Sequence, residues 1–283
     1  MQSVLPVLAI LGGILMVFSV TMLVPLAFAF IGGDAALYAY DGAILLTLGC
    51  GLALFFSCRR FKRELQPRDG FLLVSLVWSV LPAFGALPLL FHLPGLSFTD
   101  AYFEAVSGLT TTGATVLTGL EKLPLSINVW RCFMVLIGGM GILVLAVAIL
   151  PLLGVGGAQL FKAETPGPMK DQKLTPRIAE TARGLWVVYF AIAIACFFAY
   201  RVAGMGWADA FMHMCSTMGL GGFSSYDASY GQFNSPAIEA VAITFMLIAG
   251  VNFALYFVAW KRRSLRGVLR DVETRMFFLT MAA

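Results

Sequence analysis

The chain has 283 residues, 60% hydrophobic and 12% charged, with a formal net charge of +4. That is too little polar surface to cover a soluble globule of this size, and a mean hydropathy of +0.88 carried on several long apolar runs excludes a singly anchored protein. The small net charge gives nucleic-acid binding no support, and Cys50, Cys58, Cys132, Cys196 and Cys215, with no C-x-x-C spacing, read as small buried hydrophobes.

Residues 4–31 predict a first membrane helix, bent near Pro25. It reads as retained rather than as a signal peptide, because Met1-Gln2-Ser3 has no basic residue and the apolar run is long. A short acidic connection as far as Asp41 precedes a second helix, 42–57, which stops at Arg59, Arg60, Lys62 and Arg63. A turn at 67–70 opens a third helix, 71–90, interrupted by Pro82 and Pro88. Next comes D-A-Y-F-E-A-V-S-G-L-T-T-T-G-A-T, residues 100–115. Its helical part, 100–109, has half the length a crossing needs, so it is expected to enter the membrane and stop.

A fourth helix is expected over 127–153, where Gly138, Gly139 and Gly141 serve close packing or a hinge equally well. Residues 154–183 read as a polar, basic loop with a surface helix from Pro176. Then follow a helix at 184–202, a half-helix at 208–217, a glycine loop at 219–224 and a last complete helix at 236–260. Residues 276–283 open a further apolar run.

The second half-helix and loop repeat the first. Setting Gly113 on Gly222 places Gly95 on Gly204, Asp100 on Asp209, Glu104 on His213, Ser107 on Ser216 and Thr115 on Ser224. Of nineteen Lys and Arg residues, sixteen fall in three segments, 59–68, 162–183 and 261–275. All three lie on one face only if the half-helices do not cross, and the N-terminus is then cytoplasmic. The fold expected is therefore an all-α polytopic membrane protein. It has a two-helix extension (1–69) and two parallel units of helix, re-entrant helix, loop and helix (70–155 and 184–263). A cytoplasmic basic linker (156–183) separates them, and 264–283 starts an incomplete third unit.

Irregular backbone at membrane depth is tolerated only where it lines a watery cavity. Gly113 and Gly222 allow a backbone angle that turns neighbouring carbonyls inward, and the C-terminal ends of the half-helices add partial negative charge. Asp100 and Asp209 are expected to cap N–H groups at the outer ends. The ligand expected is a dehydrated cation, with carbonyls replacing its water.

At these loops the sequence resembles the Trk/Ktr/HKT superfamily of potassium transporters, most closely its bacterial Trk-type membrane subunit. The segments that carry the likeness are S-G-L-T-T-T-G-A-T at 107–115 and G-G-F-S at 221–224, followed by Tyr226-Asp227. The resemblance covers nearly the whole chain and implies filter roles for Thr110, Thr111, Thr112, Gly113, Gly219, Leu220, Gly221 and Gly222 through their carbonyls. It further implies potassium as substrate with no bound cofactor or transition metal, a homodimer in the bacterial inner membrane, and a cytosolic nucleotide-binding, Rossmann-like regulatory subunit. The family has four units. Two are complete here, so a truncated N-terminal half is expected; the alternative is a nonconducting fragment that pairs with an intact homologue.

Single residues admit competing readings. His213 with Ser216 has the spacing of a base and nucleophile for an intramembrane hydrolase, but His213 matches Glu104 and fits better packed behind the loop or facing the outer vestibule. His92 reads as a solvated loop residue. Arg131 and Arg201 are expected to snorkel at outer helix ends, and Asn252 to bond a neighbouring helix.

Overall fold

Proline has no N–H to give and crowds the carbonyl four residues back, so it decides where these apolar runs stop or bend. In the computed structural model, which describes residues 4–61, 66–144 and 174–283, every regular element among the described residues is helical. α1 (Leu5–Thr21) and α2 (Leu23–Gly32) make one 28-residue span. They part at Met22, in the turn before Pro25. α3 (Leu37–Cys58) begins before the expected residue 42, because Asp34 Oδ1 accepts the Ala36 N–H at 2.7 Å and compresses the connection into a tight turn. α1 and α3 touch backbone to backbone: a Cβ added to Gly12 would stand 2.7 Å from the Gly51 carbonyl oxygen.

The expected turn at 67–70 is instead the first turn of α4 (Pro67–Gly85). Pro67 opens the helix and the Gln66 N–H donates to Asp69 at 2.8 Å, closing a capping box. α5 (Leu87–His92) continues α4 after a break at Ala86, ahead of Pro88. α6 (Phe98–Leu109) has 12 residues and is about 18 Å long, well short of a ~30 Å hydrocarbon core.

α7 (Leu125–Val144) is the central post. Its apolar window is 61% buried against at most 39% in the other spans, and it packs on both half-helices. Gly138 lets it touch the Leu109 carbonyl and Gly139 brings it to Gly219, so these glycines serve close packing. The expected remainder of this helix and most of the basic loop, 145–173, lie outside the described residues.

α8 (Leu174–Val202) extends ten residues ahead of the expected start at 184, because the helix expected from Pro176 runs without a break into the membrane helix. Pro176 does not prevent this, because N–H groups in a first turn have no intrahelical acceptor anyway. After the half-helix α9 (Trp207–Gly219), the chain departs from expectation once more. The single helix expected over 236–260 is two, α10 (Pro236–Ala249) and α11 (Phe253–Arg262), bent by 83°. Asn252 lies in the bend and accepts the Ala254 N–H at 3.0 Å, so it caps α11 rather than bonding a neighbouring helix. α12 (Arg266–Arg270) and α13 (Val272–Ala282) follow, and the Phe277 ring fills the space beside Gly250.

Among the described residues five helical segments are long and apolar enough to cross a membrane, or six if the bent pair is one span. The chain is a multi-pass membrane protein. The chain ahead of α4 docks on the start of α7 through Asp34, which accepts the Ser126 N–H at 3.0 Å, and Tyr40, which donates to the Ser126 carbonyl at 2.9 Å.

Candidate functional site

Each half-helix ends in the same backbone turn. The Thr112 N–H returns to the Ser107 carbonyl at 2.8 Å, and the Gly221 N–H to Ser216 at 3.1 Å. The Thr111 N–H bonds Gly108 at 3.0 Å as the Leu220 N–H bonds Thr217 at 3.2 Å. Matched residues also share left-handed backbone: φ is 57° at Thr111 and 54° at Leu220, 76° at Gly113 and 73° at Gly222, 91° at Gly95 and 103° at Gly204. Thr111 and Leu220 are not glycine, so this geometry is held by the helix-terminating bonds and not merely permitted.

The turns aim the loops at each other. Gly113 sits so close to the Gly221 carbonyl that a Cβ there would overlap it, whereas Gly222 faces open space. Among the described residues no hydrogen bond ends on the carbonyls of Thr110, Thr111, Thr112, Gly113, Gly219, Leu220, Gly221 or Gly222. Eight acceptors are thus left free at the partially negative ends of two half-helices. Thr111, Gly219 and Leu220 also line a cavity of about 580 Å³, together with Gly250 and Asn252 of the bend and Glu273.

Behind the loops, matched residues do matched work with different chemistry. The Thr115 hydroxyl accepts the Leu117 N–H at 3.1 Å and donates to Glu104 at 2.8 Å. Its counterpart, the Ser224 hydroxyl, accepts the Tyr226 N–H at 3.2 Å and meets His213 Nε2 at 3.1 Å. His213 Nδ1 lies 2.9 Å from the Asp209 carbonyl, which only accepts, so Nδ1 carries the proton and Nε2 receives one from Ser224. Both ring nitrogens are engaged, neither by Ser216, so the base–nucleophile pair is not formed. His213 packs behind its loop.

Arg131 does not snorkel. It is fully buried beside the equally buried Glu104. The guanidinium donates four hydrogen bonds, from Nε to Glu104 at 2.7 Å, from Nη1 to Asn128 at 3.0 Å and to the Ser224 carbonyl at 3.1 Å, and from Nη2 to Thr115 at 3.2 Å, while Nη2 also pairs with the Glu104 carboxylate at 2.7 Å. Sequence reasoning missed this pair because 27 residues and an element boundary separate its members. The available signal was a lone base inside an apolar helix and an acid inside a half-helix that carries no base. Arg201 keeps to the C-terminal end of α8, half-buried over the Trp207 ring at 4.2 Å and bonded to the Met205 carbonyl.

The two aspartates are not the capping residues. Ser97 caps α6 by accepting the Asp100 N–H at 3.1 Å, and Asp100 takes the Ser97 hydroxyl proton at 2.7 Å. Gly206 stands at the cap of α9, and Asp209 instead accepts from Ser225 at 3.3 Å and Tyr226 at 3.4 Å. Both carboxylates remain in first turns, where negative charge suits the helix end. A further acid, Asp227, ties the two loop exits together by accepting the Gly119 and Leu120 N–H groups at 2.7 and 3.0 Å.

Comparisons with known proteins agree with this architecture. Residues 41–283 match the family model TrkH, described as a cation transport protein. The Trk system potassium uptake protein TrkH of Halomonas elongata is 49% identical over 282 residues, 99% of this chain and 58% of that one. Its Salmonella typhimurium namesake is 50% identical over 269 residues, 95% of this chain and 56% of its own. The crystal structure of the potassium transporter TrkH from Vibrio parahaemolyticus superposes with a TM-score of 0.86 at 44% identity, over 98% of this chain and 56% of that one. The chain spans a little over half the length of the relatives it matches. With paired half-helices, glycine loops and a family match over most of its length, the chain belongs to the TrkH family of cation transport proteins.

Proposed function

We propose that this chain takes part in potassium uptake, and that the carbonyls of residues 110–113 and 219–222 replace the water of a passing ion. The observation that carries the reading is the set of eight unpartnered carbonyls on two conformationally matched loops. A potassium ion gives up hydration readily where several carbonyl dipoles replace it at once, and the half-helix ends lower the cost of holding positive charge there. The relatives named above are potassium uptake proteins, which makes potassium the substrate to test first.

Two loops do not enclose an ion. The open space at Gly222, where Gly113 meets the Gly221 carbonyl, is where we place a further loop of the same kind, from more of the same polypeptide or from a second copy. The proposal includes two pore units, 70–155 and 184–263, an N-terminus on the cytoplasmic face of a bacterial inner membrane, a homodimeric assembly and a cytosolic nucleotide-binding regulatory partner. The three basic segments on one face support the orientation. Expression of the complete gene product in an uptake-deficient bacterium tests the function: growth at low potassium is expected, and failure to grow despite membrane insertion would refute it.

A further inference from the structure

We propose that the buried Arg131–Glu104 pair is a positioning device that sets the spacing between the two glycine loops and thereby the ion preference of the filter; this rests on the potassium-filter reading above. The pair lies on neither loop, since Glu104 belongs to α6 and Arg131 to α7. Its hydrogen bonds nevertheless end on both. In the first loop it holds the Thr115 hydroxyl and, through Glu104 Oε2, the Val116 N–H at 3.2 Å. In the second it holds the Ser224 carbonyl at 3.1 Å, and the guanidinium lies 4.6 Å over the Phe223 ring. Asn128 extends the reach: it accepts from Arg131 and donates to the Leu120 carbonyl at 2.6 Å, while the Leu120 N–H is held by Asp227 from beyond the second loop.

An ion pair that merely joined α6 to α7 would need none of these loop contacts. The matched position behind the second loop shows the contrast, because His213 braces Ser224 of its own loop and bonds nothing on the first. Arg131 is thus the group whose rigid fork of donors spans both loops, through Thr115 and Ser224, and a lysine ammonium, a single point of charge, would neutralise Glu104 without spanning them. Selectivity of a carbonyl site depends on how far apart its dipoles are held and how freely they move.

The test compares rubidium and sodium influx through the complete gene product and its variants, at matched amounts in the membrane. Arg131→Lys is expected to lower the rubidium-to-sodium ratio by about fivefold or more, the small end of energetic coupling between sites. If Arg131→Lys does not reach the membrane, the neutral pair Glu104→Gln with Arg131→Gln is measured, with the same loss expected. Gly12→Ala, which disturbs the contact of α1 with α3 far from the loops, lowers stability and leaves the ratio unchanged. A ratio within about twofold of the unaltered protein in either Arg131 variant overturns the positioning role. Absence of potassium-selective flux in the unaltered protein would instead refute the function on which it rests.

Discussion

Gly113 is where a single atom matters most. A side chain there meets two costs at once, a φ of 76° that disfavours any Cβ and direct overlap with the Gly221 carbonyl. The first is about 1–2 kcal/mol, and the overlap adds to it by pushing the loops apart. Gly113→Ala is therefore expected to lower the thermal midpoint of the purified protein and its rubidium-to-sodium flux ratio together. Gly13→Ala, with nothing within 4 Å of the added carbon, should change neither. Asp227 gives a pH signature. The N–H groups of Leu120 and Gly119 hold its carboxyl below the usual aspartate range. A depressed acid stabilises above its unfolded pKa and stops doing so as pH falls through the folded value. The tie between loop exits should persist at neutral pH and open only in strong acid. Amide exchange at Gly119 and Leu120, corrected for intrinsic rate, should stay protected down to about pH 5 and rise below the ordinary aspartate value; Asp227→Ala should remove the protection at all pH.

At the scale of elements, the half-helices were legible because shortness and repetition are properties of the chain itself. Twelve and thirteen helical residues end in loops whose glycines match at a fixed offset, and the matched backbone angles at Gly113 and Gly222 agree within a few degrees. The 83° bend between α10 and α11 was not legible, since no proline marks it. It is stabilised by a local asparagine cap and by Phe277 seated beside Gly250, and the second contact exists only once α13 has folded back. Asn252→Ala should cost about 1 kcal/mol, as loss of a helix cap does, and Asn252→Asp should cost less because the acceptor remains. Thermal unfolding of the three proteins in one detergent checks the order. The same logic explains Arg131. Periodicity and charge counts describe a residue's own element, and the acid that neutralises Arg131 lies on another.

For the molecule as a whole, α7 joins two halves of the core. One face packs Trp130 and Met134 against the N-terminal helices, and the other packs Val135 and Leu136 against α8 and α9. Any strain on this post reaches both loops, since it also carries Gly138, Gly139 and Arg131. The proposed function requires that the free carbonyls of residues 110–113 and 219–222 bind the ion directly. Anomalous diffraction from crystals of the complete gene product grown in rubidium tests it. Rubidium peaks in contact with those carbonyls, disappearing when sodium replaces rubidium, are the expected result. Strong rubidium peaks elsewhere along the pore, with none at the two loops, would contradict it.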